Sequence, residues 1–149
     1  MKTFKDTSFG DLTGQTYHGT IELIDQGLES LIGSPETVMG IFDCSENKLT
    51  TLKGSPETVM MYFTCSMNPH LKSLEGGPKK TPTFFCDNNP QLKDPIYEIC
   101  ANQIKANRYV TDKGSFNFSE IADQFEKHNI NNKVTSKGFR TLLGLKNEI

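Results

Sequence analysis

Apolar positions in the first two thirds of this chain recur with a period longer than a helix or a strand can produce. Between residues 28 and 91 a pair of leucines three apart is followed by Gly-x-Pro, then by Phe-x-Cys, then by asparagine. The whole order occurs three times. Residues 28–48 read LESLIGSPETVMGIFDCSENK, 49–70 read LTTLKGSPETVMMYFTCSMNPH, and 71–91 read LKSLEGGPKKTPTFFCDNNPQ. GSPETVM appears twice unchanged, and in the third copy Gly54-Ser55-Pro56 becomes Gly76-Gly77-Pro78. Cys44, Cys65 and Cys86 stand 21 residues apart, as do Asn47, Asn68 and Asn89. A fixed period of this length marks a solenoid, in which each unit buries its apolar side only against its neighbours.

In Phe-x-Cys, alternation sends Phe42 and Cys44 to one side of a strand, and likewise Phe63 with Cys65 and Phe84 with Cys86. Leu28, Leu31, Leu49, Leu52, Leu71 and Leu74 then close the core from the opposite wall. Each asparagine carries both donor and acceptor and can satisfy backbone groups where a strand ends. Gly33, Gly54 and Gly76 permit unusual backbone angles, and Pro35, Pro56 and Pro78 fix the turn that follows. A fainter copy precedes the first: Ile21, Leu23, Gln26 and Leu28 take the Phe, Cys, Asn and Leu places. The pattern predicts four parallel strands, near residues 20–24, 41–45, 62–66 and 83–87. Pro82 removes a ladder donor and predicts an edge position or an irregular start for the last.

Across one junction the motif reads Phe42-x-Cys44-x-x-Asn47-x-Leu49-x-x-Leu52. It resembles the L-x-L-x-x-N-x-L-x-x-L core of leucine-rich repeats, and its Gly-x-Pro element is similar to short bacteriophage and bacterial proteins of that type. The resemblance covers residues 28–91. It implies an α/β-type repeat protein: a short leucine-rich-repeat solenoid of about four parallel strands with a C-terminal helical cap. It also implies a phage setting, in which a small effector binds a host protein and inhibits or redirects it.

A solenoid must cover both ends. Residues 1–27 are expected to form an N-terminal cap with the degenerate first strand, and 92–149 a helical C-terminal cap or subdomain. Asp94-Pro95 is a helix start, with Ile96, Ile99, Cys100 and Ile104 on one face. Asn117 and Glu120 form a capping box, and Phe116 with Ile121 a hydrophobic staple. Phe118, Ile121, Ala122 and Phe125 make the stripe of that second helix. A last helix near residues 136–143 would bury Phe139, Leu142 and Leu143 and stop at Gly144.

Composition changes this picture little. The chain has 149 residues, 35% hydrophobic and 23% charged, with a formal net charge of −2. That size suits one domain, and the charge by itself points to neither nucleic acid nor membrane. No window approaches the roughly 18 apolar residues of a membrane span, and the start, MKTFKDTSFGD, lacks a signal-peptide core; a cytoplasmic protein with reduced thiols is expected. The cysteines lack the close pairing that zinc sites use, so small buried core residues are expected there. His18, His70 and His128 form no catalytic motif. Glu22 and Asp43 would be neighbours on the outward strand face, as a solvated pair. Residues 92–149 hold nine basic and seven acidic residues.

The outward strand positions carry the functional expectation. They are Met39, Ile41 and Asp43, then Met60, Tyr62 and Thr64, then Thr83 and Phe85. Ile41, Met60, Tyr62 and Phe85 are large and apolar, and exposed apolar patches mark interaction sites. The expectation is a protein–protein interaction module with no catalytic residues, cofactor or metal, whose partner is a protein, of the host cell if the phage setting holds. The alternative is a nucleic-acid-associated protein using Lys127, Lys133, Lys137 and Arg140 on the C-terminal helices. An enzyme of unfamiliar chemistry and a homo-oligomer built through a strand edge also stay open, as does a fold in which the C-terminal helices cover the strand face.

Overall fold

In a computed structural model, which describes residues 1–128, the chain is a parallel β-solenoid of about five turns. The main sheet runs through β2 (Ile21–Glu22), β4 (Phe42–Asp43), β6 (Tyr62–Thr64), β7 (Thr83–Phe85) and β8 (Arg108–Thr111), all parallel, and ends on antiparallel β9 (Gly114–Asn117). The four expected strands are present. β8, a fifth, is not among the expected strands.

Register follows the repeat. Ile21, Phe42, Phe63, Phe84 and Tyr109 are successive partners, so the inward rings stack. Phe42 and Phe63 lie 5.4 Å apart at 12°, and Phe63 and Phe84 5.5 Å apart at 15°. The six leucines of the opposite wall are fully buried, as are Cys44 and Cys65. Pro82 does not place its strand at an edge: β7 pairs on one side with β6 and on the other with β8. Proline just ahead of the strand takes no ladder donor from it.

The arcs between these strands differ from the helical arcs of an α/β repeat. Three of them carry two-residue strands, β1 (Thr16–Tyr17), β3 (Thr37–Val38) and β5 (Thr58–Val59), which form a second parallel sheet and bury Val38 and Val59. Helix enters an arc only in the last described turn, as α1 (Pro95–Ala101). Two glycines make the coils stack closely. Gly54 has φ +90° and Gly76 φ +83°, and a Cβ there would stand 2.5 Å from the Ile32 nitrogen and the Lys53 Cα, respectively. Only glycine fits such an approach at that backbone angle.

Asparagine side chains join the coils. The Asn47 Oδ1 accepts from the Gln26 and Leu28 N–H groups, both at 3.0 Å, and its Nδ2 donates to the Leu23 and Cys44 carbonyls. Asn68 and Asn89 repeat this one and two coils on. Each of these turns needs a left-handed residue just before the amide: Asp25, Glu46, Met67 and Asn88 have φ between 53° and 58°.

The ends are closed by different means. At the N-terminus Phe4, in a 3-10 turn, stacks 6.4 Å from Phe42. The Thr3 N–H and hydroxyl donate to Asp6, which holds that carboxyl below its usual range. At the other end the Asp94 side chain caps α1 by accepting from the Tyr97 N–H at 3.0 Å. The Glu98 carboxylate then accepts from Ser73 Oγ and the Leu74 N–H, both at 2.9 Å, tying α1 to the third repeat. Helix α2 (Phe118–His128) starts at the expected capping box, with Asn117 and Glu120 bonded reciprocally at 2.9 and 2.8 Å. It packs on α1, β8 and β9 and buries Ile121, Ala122 and Phe125. The helix expected near 136–143 lies outside the described residues.

Candidate interaction surface

Because inward residues repeat, the outward ones form rows. Ile41, Tyr62, Thr83 and Arg108 line up across β4, β6, β7 and β8, and Glu22, Asp43, Thr64, Phe85 and Val110 form the next row. Tyr62 and Phe85 sit diagonally on neighbouring strands, and their rings meet edge to face at 5.5 Å and 72°. Diagonal neighbours of a ladder are within reach of aromatic side chains. Ile41, Tyr62, Thr83 and Phe85 are half-buried.

Met39 and Met60 stand where β3 and β5 turn toward the main sheet, 44% and 50% exposed, and Met61 beside them is 54% exposed. The sequence reading missed Met61. The signal was there: it takes the place of Gly40, where the second GSPETVM copy departs from the first. The apolar patch is thus concentrated at the strand starts.

Phe85 and Val110 apart, the strand ends are polar. Thr64 is buried and belongs to a hydroxyl chain rather than to the surface. It meets Ser45 Oγ at 3.1 Å, donates to Ser66 Oγ at 3.1 Å, and Ser66 donates to Asp87 at 2.6 Å. Asp43 accepts from the Ser45 N–H at 3.0 Å, and Glu22 is its register neighbour. The Asp43 carboxylate is thus engaged in local turn geometry. Among the described residues no three His, Cys, Asp or Glu side chains come together as a metal site.

The cysteines have a packing role. Cys44 Sγ donates to the Thr64 carbonyl at 3.3 Å and Cys65 Sγ to the Phe85 carbonyl at 3.4 Å. Burial pushes all four thiols well above their ordinary range, and nearby carboxylates add to it at each of them. A thiol held protonated is neither nucleophile nor ligand. The buried Tyr109 phenol is also pushed up; it donates to the Ile104 carbonyl at 2.6 Å and accepts from the Ala106 N–H at 2.9 Å.

The described part of α2 leaves the methionine edge open. Of the four basic candidates, Lys127 is exposed on α2, while Lys133, Lys137 and Arg140 lie outside the described residues. The structure instead makes Lys80 and Lys105 ladder neighbours and sets Arg108 beside Thr83. His18 and His70 are exposed and far from one another in the fold's repeat order. No helix among the described residues is long and apolar enough to cross a membrane. Neither a protein-family model, nor a curated protein, nor a solved structure matches this chain.

Proposed function

We propose that this chain is a protein-binding scaffold, of the short leucine-rich-repeat type, whose contact face is the row of outward residues at the strand starts. The carrying observation is the uncovered apolar edge of Met39, Met60 and Met61 continuing into the half-buried Ile41, Tyr62 and Phe85. Methionine and aromatic side chains of this kind are favoured in interface cores. Tyr62 and Phe85 project from hydrogen-bonded strands, and the Met39, Met60 and Met61 N–H groups are bonded to the preceding coil, so little backbone entropy is lost on binding. The leucine-rich-repeat reading is supported by the Phe-x-Cys-x-x-Asn-x-Leu-x-x-Leu spacing together with its asparagine ladder.

In the phage setting that this reading carries, the partner is a cytoplasmic host protein that is inhibited or redirected. The sheet face is preferred to the nucleic-acid alternative because it rests on six contiguous side chains rather than on Lys127 alone. The test is affinity capture from the host lysate, with cross-linking to place the contact. Tyr62→Glu puts a charge in the centre of the patch and is expected to abolish capture with the circular dichroism unchanged. Capture that survives this substitution in a folded protein refutes the assignment of the face.

A further inference from the structure

Beyond the strand face lies a groove that owes its existence to Pro82. The second sheet continues past β5 for two steps: the Val59 N–H donates to the Lys80 carbonyl and the Thr81 N–H to the Lys105 carbonyl, both at 3.0 Å. In a parallel ladder the next donor to the Val59 carbonyl would be residue 82. Proline has none. One step on, the Asn107 N–H turns to the Pro82 carbonyl at 2.9 Å instead of serving Thr81. The segments part, and a groove of about 140 Å³ opens between Val59, Met60, Lys80, Pro82, Lys105 and Asn107. The Val59 and Thr81 carbonyls receive no backbone N–H among the described residues.

Its charge is one-sided. The ionisable residues that line the groove are Lys80 and Lys105, both basic, in a chain whose net charge is −2; Glu57 stands one residue before the lining Thr58. Among the described residues the ion pairs are elsewhere, at Met1–Glu29 and Lys53–Glu75. Lys105 Nζ lies 5.6 Å over the Phe118 ring and Lys79 Nζ donates to the Asn102 carbonyl at 3.3 Å; neither contact neutralises a charge.

We infer that this groove docks an acidic, extended segment of a protein partner. One apolar side chain enters between Met60 and Pro82; the opening is about the size of a cavity that holds a single benzene ring. Flanking carboxylates meet Lys80 and Lys105. The segment's N–H groups supply the donors that the Val59 and Thr81 carbonyls lack, in the manner of strand addition. A nucleic-acid backbone fits less well, because phosphates only accept hydrogen bonds, and the groove offers no aromatic ring on which a base would stack.

The inference rests on the reading that the chain binds protein, and the two can fail separately. Tyr62→Glu tests the strand face, whereas Lys80→Glu with Lys105→Glu changes two exposed side chains of the groove alone. The full chain, labelled with nitrogen-15, is titrated at low salt with the blocked peptide Glu-Asp-Leu-Asp-Glu. The amides of Val59, Lys80, Thr81, Lys105 and Asn107 are expected to shift. The lysine counterpart Lys-Lys-Leu-Lys-Lys is expected to leave them in place, and the double variant to weaken the acidic peptide about tenfold, as two partly exposed charge pairs would. Silence at these amides overturns the inference, as does an equal response to the lysine peptide. Oligothymidylate moving the same amides at lower concentration than the acidic peptide would overturn it in favour of a nucleic-acid site.

Discussion

Replacing Asn68 with alanine removes one rung of the ladder that joins the coils. Asn68 is fully buried. Its Oδ1 accepts from the Leu49 N–H at 3.2 Å, and its Nδ2 donates to the Cys44 and Cys65 carbonyls at 3.1 and 2.9 Å. Those carbonyls are shared: Asn47 also donates to Cys44 and Asn89 also to Cys65. The substitution therefore strands one group outright, the Leu49 N–H, and halves the bonding of two others. A stranded buried donor costs about 1–3 kcal/mol, and each lost carbonyl bond about 1 kcal/mol. The expected loss is about 3–5 kcal/mol, a large share of the roughly 5–15 kcal/mol that holds a domain folded. Asn47→Ala strands two N–H groups, Gln26 and Leu28, and is expected to cost at least as much. Exposed Lys48→Ala is the control, within about 0.5 kcal/mol. Urea unfolding followed by circular dichroism measures all three. An Asn68→Ala protein within about 1 kcal/mol of the parent would mean that water or backbone movement replaces the ladder, and that buried amides are not what ties one coil to the next.

Alkaline pH should weaken the fold through its thiols. Below about pH 8 both states keep these protons; above it the unfolded chain releases them while the buried Cys44, Cys65, Cys86 and Cys100 do not. Stability then falls with rising pH, by about 1 kcal/mol per thiol near pH 9.5; unfolding midpoints that stay flat from about pH 7 to 9.5 would contradict the burial. The same thiols are expected to resist a thiol-reactive dye at neutral pH until denaturant is added. Met67→Gly relieves a left-handed backbone of φ 56° at a position 45% exposed, and is expected to stabilise by about 0.5 kcal/mol, the strain relieved less the entropy glycine adds; a lower melting temperature would count against strain at that turn.

The main sheet was legible because its signal is periodic. Phenylalanine, cysteine and asparagine recur where the coil demands a ring, a small residue and an amide. Three elements escaped for physical reasons. The second sheet is built from strands of two residues, too short to alternate. In β8 the ring is Tyr109 and the cysteine place is taken by Thr111, and α1 lengthens the arc, so that Tyr109 follows Phe84 by 25 positions where Phe63 follows Phe42 by 21. The groove depends on Lys80 and Lys105 meeting across that same arc, which no local pattern announces.

The contrast between the two sides of the strands carries the functional argument further. Inward places hold nearly one residue type per row, Phe42, Phe63, Phe84 and then Tyr109, and the three phenylalanine rings stack in turn. Outward places in the neighbouring row hold Ile41, Tyr62, Thr83 and Arg108, four chemistries in four coils. Coil stacking fixes no single residue type at those positions, and they vary from coil to coil. The row passes from aliphatic to aromatic to polar to cationic. A partner that matched it would present an apolar surface beside the methionines and carboxylates beside Arg108. If the chain binds protein as proposed, that polarity would give it a direction of binding along the solenoid, something a uniformly apolar sheet face would lack.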